Sequence, residues 1–134
     1  MGAAPYVAYT CHCRECQKLT ASAFLTCMHV AAESLDFSSG ELAADTRVAD
    51  SGNTLTTYFC GDCGSTLFIH NSARPRVRTV HVGTLDHPED IDVDAHIWMK
   101  RKLPWVILPR GHRLFDGPGD WARDYADDPT RYGE

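Results

Sequence analysis

The stretch YTCHCRECQKL, residues 9–19, puts Cys11, Cys13 and Cys16 within six positions, and a second pair, Cys60 and Cys63, follows in FCGDCGST. This clustering limits the chain more than any other feature, because thiols so close together are either oxidised, redox-active or metal-held, and each state needs a different backbone. Disulfide staples suit small secreted domains. The start, MGAAPYVAYT, has no basic region leading into an apolar run, so no secretory signal is expected, and cysteines in a C-x-C pair close a disulfide only with strain. A thioredoxin-like dithiol sits where a strand enters a helix. CGDC lies instead between two β-like runs, with glycine inside and after it.

Metal binding explains the spacing better. In a C-x-x-C-G turn two thiolates converge on one ion, and the trailing Gly64 can take a positive φ that aims backbone N–H groups at the sulfurs. C-x-C-x-x-C sets three sulfurs on a tight loop and a helix start. Around Zn²⁺ that leaves the fourth tetrahedral position open, as in catalytic sites, whereas structural sites are closed. Zinc with three thiolates is a weak Lewis acid and a poor activator of water. It is a good holder of a further soft ligand, a substrate thiol kept ionised at neutral pH. The pattern therefore favours chemistry at sulfur over hydrolysis. Cys27 stands apart within a β run and reads as a buried, inert core thiol.

A chain of 134 residues fits one core. The reading divides it into a zinc-binding β domain over residues 1–115 and an acidic C-terminal tail over 116–134. That tail carries Asp116, Asp120, Asp124, Asp127, Asp128 and Glu134 against Arg123 and Arg131, and so supplies −4 of the net charge of −5. The nearly neutral body lacks the basic surface that phosphate backbones require, so no nucleic acid is expected as a partner. No apolar run reaches membrane-spanning length, and a cytoplasmic protein is expected. RPRVR at 74–78 and KRK at 100–102 are basic; each reads either as a solvated loop or as a holder of a small ligand's carboxylates.

Short β-like runs between turn residues dominate. SAFLTCMHV at 22–30 is one, and NTLTTYFCGDCGSTLFIHN reads as a hairpin with CGDCG at its tip. In VRTVHVGTL, at 77–85, Val77, Thr79 and His81 point one way and Arg78, Val80 and Val82 the other. HIWMKRKLPWVIL, at 96–108, suggests two extended pieces broken by Pro104. Helical turns are expected through RECQKL, at HPEDI, and after Asp120, which would cap a short helix with Trp121 and Tyr125 on one face. The expected fold is mainly β: small twisted β-sheets around zinc with few short helical turns.

Four segments, CHCRECQKLTASAF, FCGDCGSTLF, VHVGTLDHP and AHIWMKRKLPWV, resemble in order and separation the glutathione-dependent formaldehyde-activating enzyme family, also called the centromere protein V domain, from about Pro5 to Leu108. The resemblance implies a β-rich fold with two zinc sites. Cys11, Cys13 and Cys16 would fall at the zinc where glutathione binds, and Cys60 and Cys63 at a structural zinc. The family's opening strand, with its own C-x-C, has no counterpart here. Three accounts follow. The chain begins late, or the structural zinc is lost or completed by water or another chain, or Cys60 and Cys63 share one four-thiolate site with the early cysteines. A missing strand would also leave a sheet edge open to a second copy, hence an expected homodimer.

His12 lies between two proposed ligands and is the candidate proton carrier. Ser22, Phe24, His96 and Trp98 are candidates for binding substrate, each with an ordinary core or surface role as the alternative. The resulting expectation is a zinc-dependent carbon–sulfur lyase, or the reverse thiol addition, acting on small-molecule thiols or thiol adducts of aldehydes and other electrophiles, with glutathione as co-substrate. The alternative is a non-catalytic, zinc-stabilised interaction module.

Overall fold

The computed structural model describes residues 4–36 and 41–126. Eight strands form one mixed sheet: β1 (Val7–Cys11), β2 (Leu25–Ala31), β3 (Leu42–Val48), β4 (Thr54–Cys60), β5 (Thr66–Asn71), β6 (Val77–His81), β7 (Ala95–Ile97) and β8 (Arg113–Leu114). Their spatial order is β3-β4-β5-β6-β2-β1-β7-β8. One eight-stranded sheet replaces the expected set of small sheets. The reason is long-range pairing: β2 joins the β6 end to β1, with Cys27 opposite both Tyr9 and His81, so the hairpins fuse into one surface. β1 lies between β2 and β7, so the free edges of the sheet are β3 and β8.

Alternation divides the core between the two faces. Val7, Tyr9 and Cys11 of β1, Leu25 and Cys27 of β2 and Val77 of β6 pack on one face with Ala95, Ile97, Trp121 and Tyr125. Ala8, Met28, Val30, Phe68, Val80 and Val82 pack on the other. The expected alternation in β6 is present. The hairpin also forms, β4 running antiparallel to β5 with CGDCG between them.

Helix α1 (Arg14–Thr20) follows Cys13 as expected and stops at Ala21, whose left-handed φ of 51° lets its N–H close on the Gln17 and Lys18 carbonyls. Pro88–Asp90 makes a single 3₁₀ turn, and Asp120 Oδ1 accepts from the Ala122 N–H at 3.1 Å before a second one, Ala122–Tyr125. HIWMKRKLPWVIL does not form two extended pieces. β7 ends at Ile97, Trp98 takes φ 58°, and Met99–Arg101 is a 3₁₀ turn. The Trp98 and Met99 N–H groups donate to the carbonyls of Gly117 and Phe115 (2.9 and 3.0 Å), which draws the chain away from the sheet before Pro104 is reached.

Residues 116–126 belong to the packed body. Trp121 stacks on Tyr9 at 4.8 Å and Tyr125 on Tyr6 at 4.5 Å. His29 Nε2 lies 2.7 Å from the Tyr9 hydroxyl and His29 Nδ1 2.8 Å from that of Tyr125, a buried chain that ties the C-terminal segment to β1 and β2. Arg113 adds a two-pronged bond to Asp124. Asp127, Asp128, Arg131 and Glu134 lie outside the described residues. No helix among the described residues is long and apolar enough to cross a membrane.

Candidate metal and thiol site

Cys11 ends β1, Cys13 caps α1 and Cys16 stands in its first turn. At the cap, the sulfur of Cys13 takes the place usually held by a Ser or Asp oxygen and accepts the Cys16 N–H at 3.4 Å. The Cys11 thiol donates to the Cys13 sulfur at 3.5 Å. All three sulfurs lie within 4.8 Å of one another, and they make the metal-capable group among the described residues. Gln17, buried on the helix, fixes this junction: its amide nitrogen donates to the carbonyls of His12 at 2.8 Å and Arg101 at 3.0 Å.

Three thiols this close cannot all ionise on their own. Hydrogen bonds from Cys11 and Cys16 hold the Cys13 thiol far below its ordinary value. The same sharing pushes Cys11 up, through its bond to Cys13, and Cys16 up, through its bonds to Cys11 and Cys13. Of the three sulfurs, Cys13 is the one its neighbours favour as thiolate. A divalent soft cation supplies the charge that lets the other two lose their protons, so the donor set fits zinc in identity and proximity.

His12 is fully buried, its backbone N–H donating to the Ile97 carbonyl at 3.1 Å. Its Nε2 lies 2.8 Å from Thr10 Oγ1, which also lies 2.6 Å from His96 Nδ1. A hydroxyl donates one hydrogen bond and accepts others, so Thr10 can serve both rings. His96 Nε2 continues to His112 Nδ1 at 2.9 Å. His12 Nδ1 has no hydrogen-bond partner. Burial, with His96 next, lowers His12 to about 4 and keeps the ring neutral at physiological pH.

The residues expected around substrate are only partly gathered here. Phe24 lies against His12, ring centres 4.9 Å apart, and His96 is 6.3 Å from His12. Phe24 also borders a hollow with Leu19, Thr66 and His81. Ser22 opens onto a different hollow beside Arg14 and Trp105. Trp98 is half-buried against the core, with Lys100 Nζ 4.9 Å from its ring centre.

Cys60 and Cys63 stand apart from the trio. Cys60 closes β4, and the Gly64 N–H, at φ 81°, folds back on the Cys60 carbonyl at 2.8 Å. Cys63 is exposed, 3.2 Å from the Ser65 hydroxyl, whose hydrogen bond lowers its pKa. Cys27 is 1% exposed, and burial pushes its thiol well above the ordinary range.

Sequence reasoning missed His112, Thr10 and a groove of about 380 Å³ between α1 and the sheet, which borders Cys16. The i, i+2 spacing of Thr10 and His12 along an extended strand could have signalled that pair. Nothing local announces the rest.

A β sheet with a three-thiol cluster at a strand–helix junction, beside a groove, defines a protein whose thiols could hold a metal ion there. A family model described as glutathione-dependent formaldehyde-activating enzyme matches residues 1–101, and the chain belongs to that family. No curated protein sequence is similar enough to this chain to serve as a relative.

Proposed function

We propose that this chain forms or breaks the carbon–sulfur bond between a glutathione-type thiol and an electrophilic carbon such as an aldehyde. The observation that carries this reading is the convergence of Cys11, Cys13 and Cys16 within 4.8 Å, in a chain whose family is linked by description to glutathione and formaldehyde. Cys11, Cys13 and Cys16 would hold Zn²⁺. When bound, that ion would lower the pKa of an incoming thiol and leave its sulfur nucleophilic.

In the addition direction the thiol sulfur bonds to the carbonyl carbon, the π pair moves to oxygen, and the proton given up by the thiol ends on that oxygen. Cleavage reverses each movement. His12 is the proposed proton carrier: burial keeps its ring neutral and Thr10 anchors one nitrogen. Gln17 and the cap hydrogen bond to Cys13 hold the cluster rigid, so much of the acceleration would come from positioning. Phe24 covers His12 and helps keep water from it.

Exchange spectroscopy with ¹³C-labelled formaldehyde and glutathione tests this. Zinc-replete protein should speed exchange between free aldehyde and its adduct well beyond the spontaneous rate. An unchanged exchange rate with metal in place would leave the interaction module as the surviving account.

A further inference from the structure

The groove bordering Cys16 has walls of opposite construction. α1 contributes Glu15, Lys18 and Leu19. The sheet contributes an apolar floor, including Leu55, Phe59 and Ile69, and a charged rim, Asp45 and Arg47 on the edge strand β3. Pairing explains the division. Arg47 lies opposite Leu55 and Asp45 opposite Thr57, so alternation places the two charges on the groove side of the strand, above the residues of β4. The Glu15–Lys18 pair, 3.9 Å apart with both side chains more than half exposed, is weak enough to yield to a ligand. Each wall therefore offers one cation and one anion over an apolar bed, with a ligating cysteine at one end.

Such a lining is neutral in sum and bipolar in detail. It suits a ligand that carries a carboxylate and an ammonium group together better than a purely anionic or an uncharged one. We propose that Arg47 and Asp45 are the specificity residues of the thiol site, Arg47 taking an α-carboxylate and Asp45 an α-ammonium of a zwitterionic, amino-acid-bearing thiol whose sulfur reaches the Cys16 end of the groove. The assignment rests on the thiol chemistry proposed above and adds to it the residues that select the thiol. These charges stand on β3, away from the basic stretches at 74–78 and 100–102. Leu19 and Thr66 also line the neighbouring hollow that holds Phe24 and His81, so an extended ligand has room to continue past them.

The test is calorimetric binding of three thiols to zinc-replete protein: glutathione, its diethyl ester and 2-mercaptoethanol. Wild type should prefer glutathione to 2-mercaptoethanol by about tenfold or more, the size expected for one charge-assisted contact. Arg47→Gln and Asp45→Asn should each remove most of that preference while binding 2-mercaptoethanol as before. Arg47→Lys should keep part of it. Esterification, which blocks both carboxylates of glutathione, should weaken binding to wild type more than to Arg47→Gln, since the substitution has already removed one of the contacts the ester deletes. Arg47 is exposed on an edge strand, and an unchanged unfolding midpoint shows that the variants fold. If Arg47→Gln and Asp45→Asn leave the preference intact, this assignment is overturned and the thiol chemistry stands. If zinc-replete wild type binds none of the three thiols, both fall.

Discussion

The two cysteine clusters look alike in sequence, each containing a C-x-x-C, and differ in almost everything the fold does with them. Cys13 and Cys16 share a helical turn whose cap is itself a thiol, and β1 delivers Cys11 to the same point from a strand buried along its whole length. Cys60 and Cys63 share a hairpin tip that no third thiol approaches among the described residues, and Cys63 faces solvent. The spacing brings two sulfurs together in both places. The third donor, and the rigidity around it, comes only where a core strand ends against a helix start. A dithiol spacing thus marks a half-site, and burial and topology decide whether it becomes a whole one.

The sharpest way to break this contrast is to remove one thiol from each side. Cys16→Ser should reduce bound zinc at the trio from about one ion to nearly none and lower aldehyde–thiol exchange by roughly a hundredfold or more, on the order of 3 kcal/mol in the barrier. Cys63→Ser should leave both quantities within about twofold. Metal analysis and exchange spectroscopy on the two variants read this directly, and equal losses would erase the distinction.

Acidification comes next. Burial lowers His29 to about 3 in the folded protein, against an ordinary value near 6.5. Between those values the unfolded chain binds a proton that the folded one refuses. The stability is therefore complete above about pH 6.5 and falls as pH drops toward 3, by on the order of a few kcal/mol. Urea titrations across that range should show the loss, and His29→Gln should reduce it, leaving the part that comes from His12 and His81, which burial also lowers.

Supports differ as well. Gln17→Ala strips the hydrogen bonds from the His12 and Arg101 carbonyls and should cost about 1–3 kcal/mol, with weaker zinc retention. Gly64→Ala strains a φ of 81° and should cost about 1 kcal/mol with zinc retention at the trio unchanged. Denaturant midpoints and metal content of the two variants check both halves.

The smallest effect is kinetic. Cys63, exposed and with its thiolate favoured by Ser65, should react with iodoacetamide first and below the pH at which an ordinary thiol responds. Cys27 should wait for unfolding. Mass spectrometry of partly alkylated protein gives the order.

What sequence reading could reach follows the same line between local and distant. The helix after Cys13, the hairpin around CGDCG and the alternation in β6 depend on neighbours within a few positions, and all three are present. The single sheet depends on β1 pairing in parallel with β7, some eighty-six residues apart at Thr10 and His96, and no local pattern carries that register. The spacing of Trp121 and Tyr125 suggested a shared face but not that the face would bury beside Tyr9 and Tyr6. The thiol trio was legible because its ligands are adjacent in the chain. The groove on its flank was not, because Arg47 meets Cys16 only through tertiary structure.

The account comes down to which sulfurs grip the ion. Crystals grown with zinc and measured on both sides of its absorption edge answer that in one experiment. The account predicts an anomalous peak bonded to the sulfurs of residues 11, 13 and 16, with the remaining coordination place taken by solvent or added thiol. A peak between residues 60 and 63 with none at the trio, or a fourth protein atom closing the trio's ion, would contradict it.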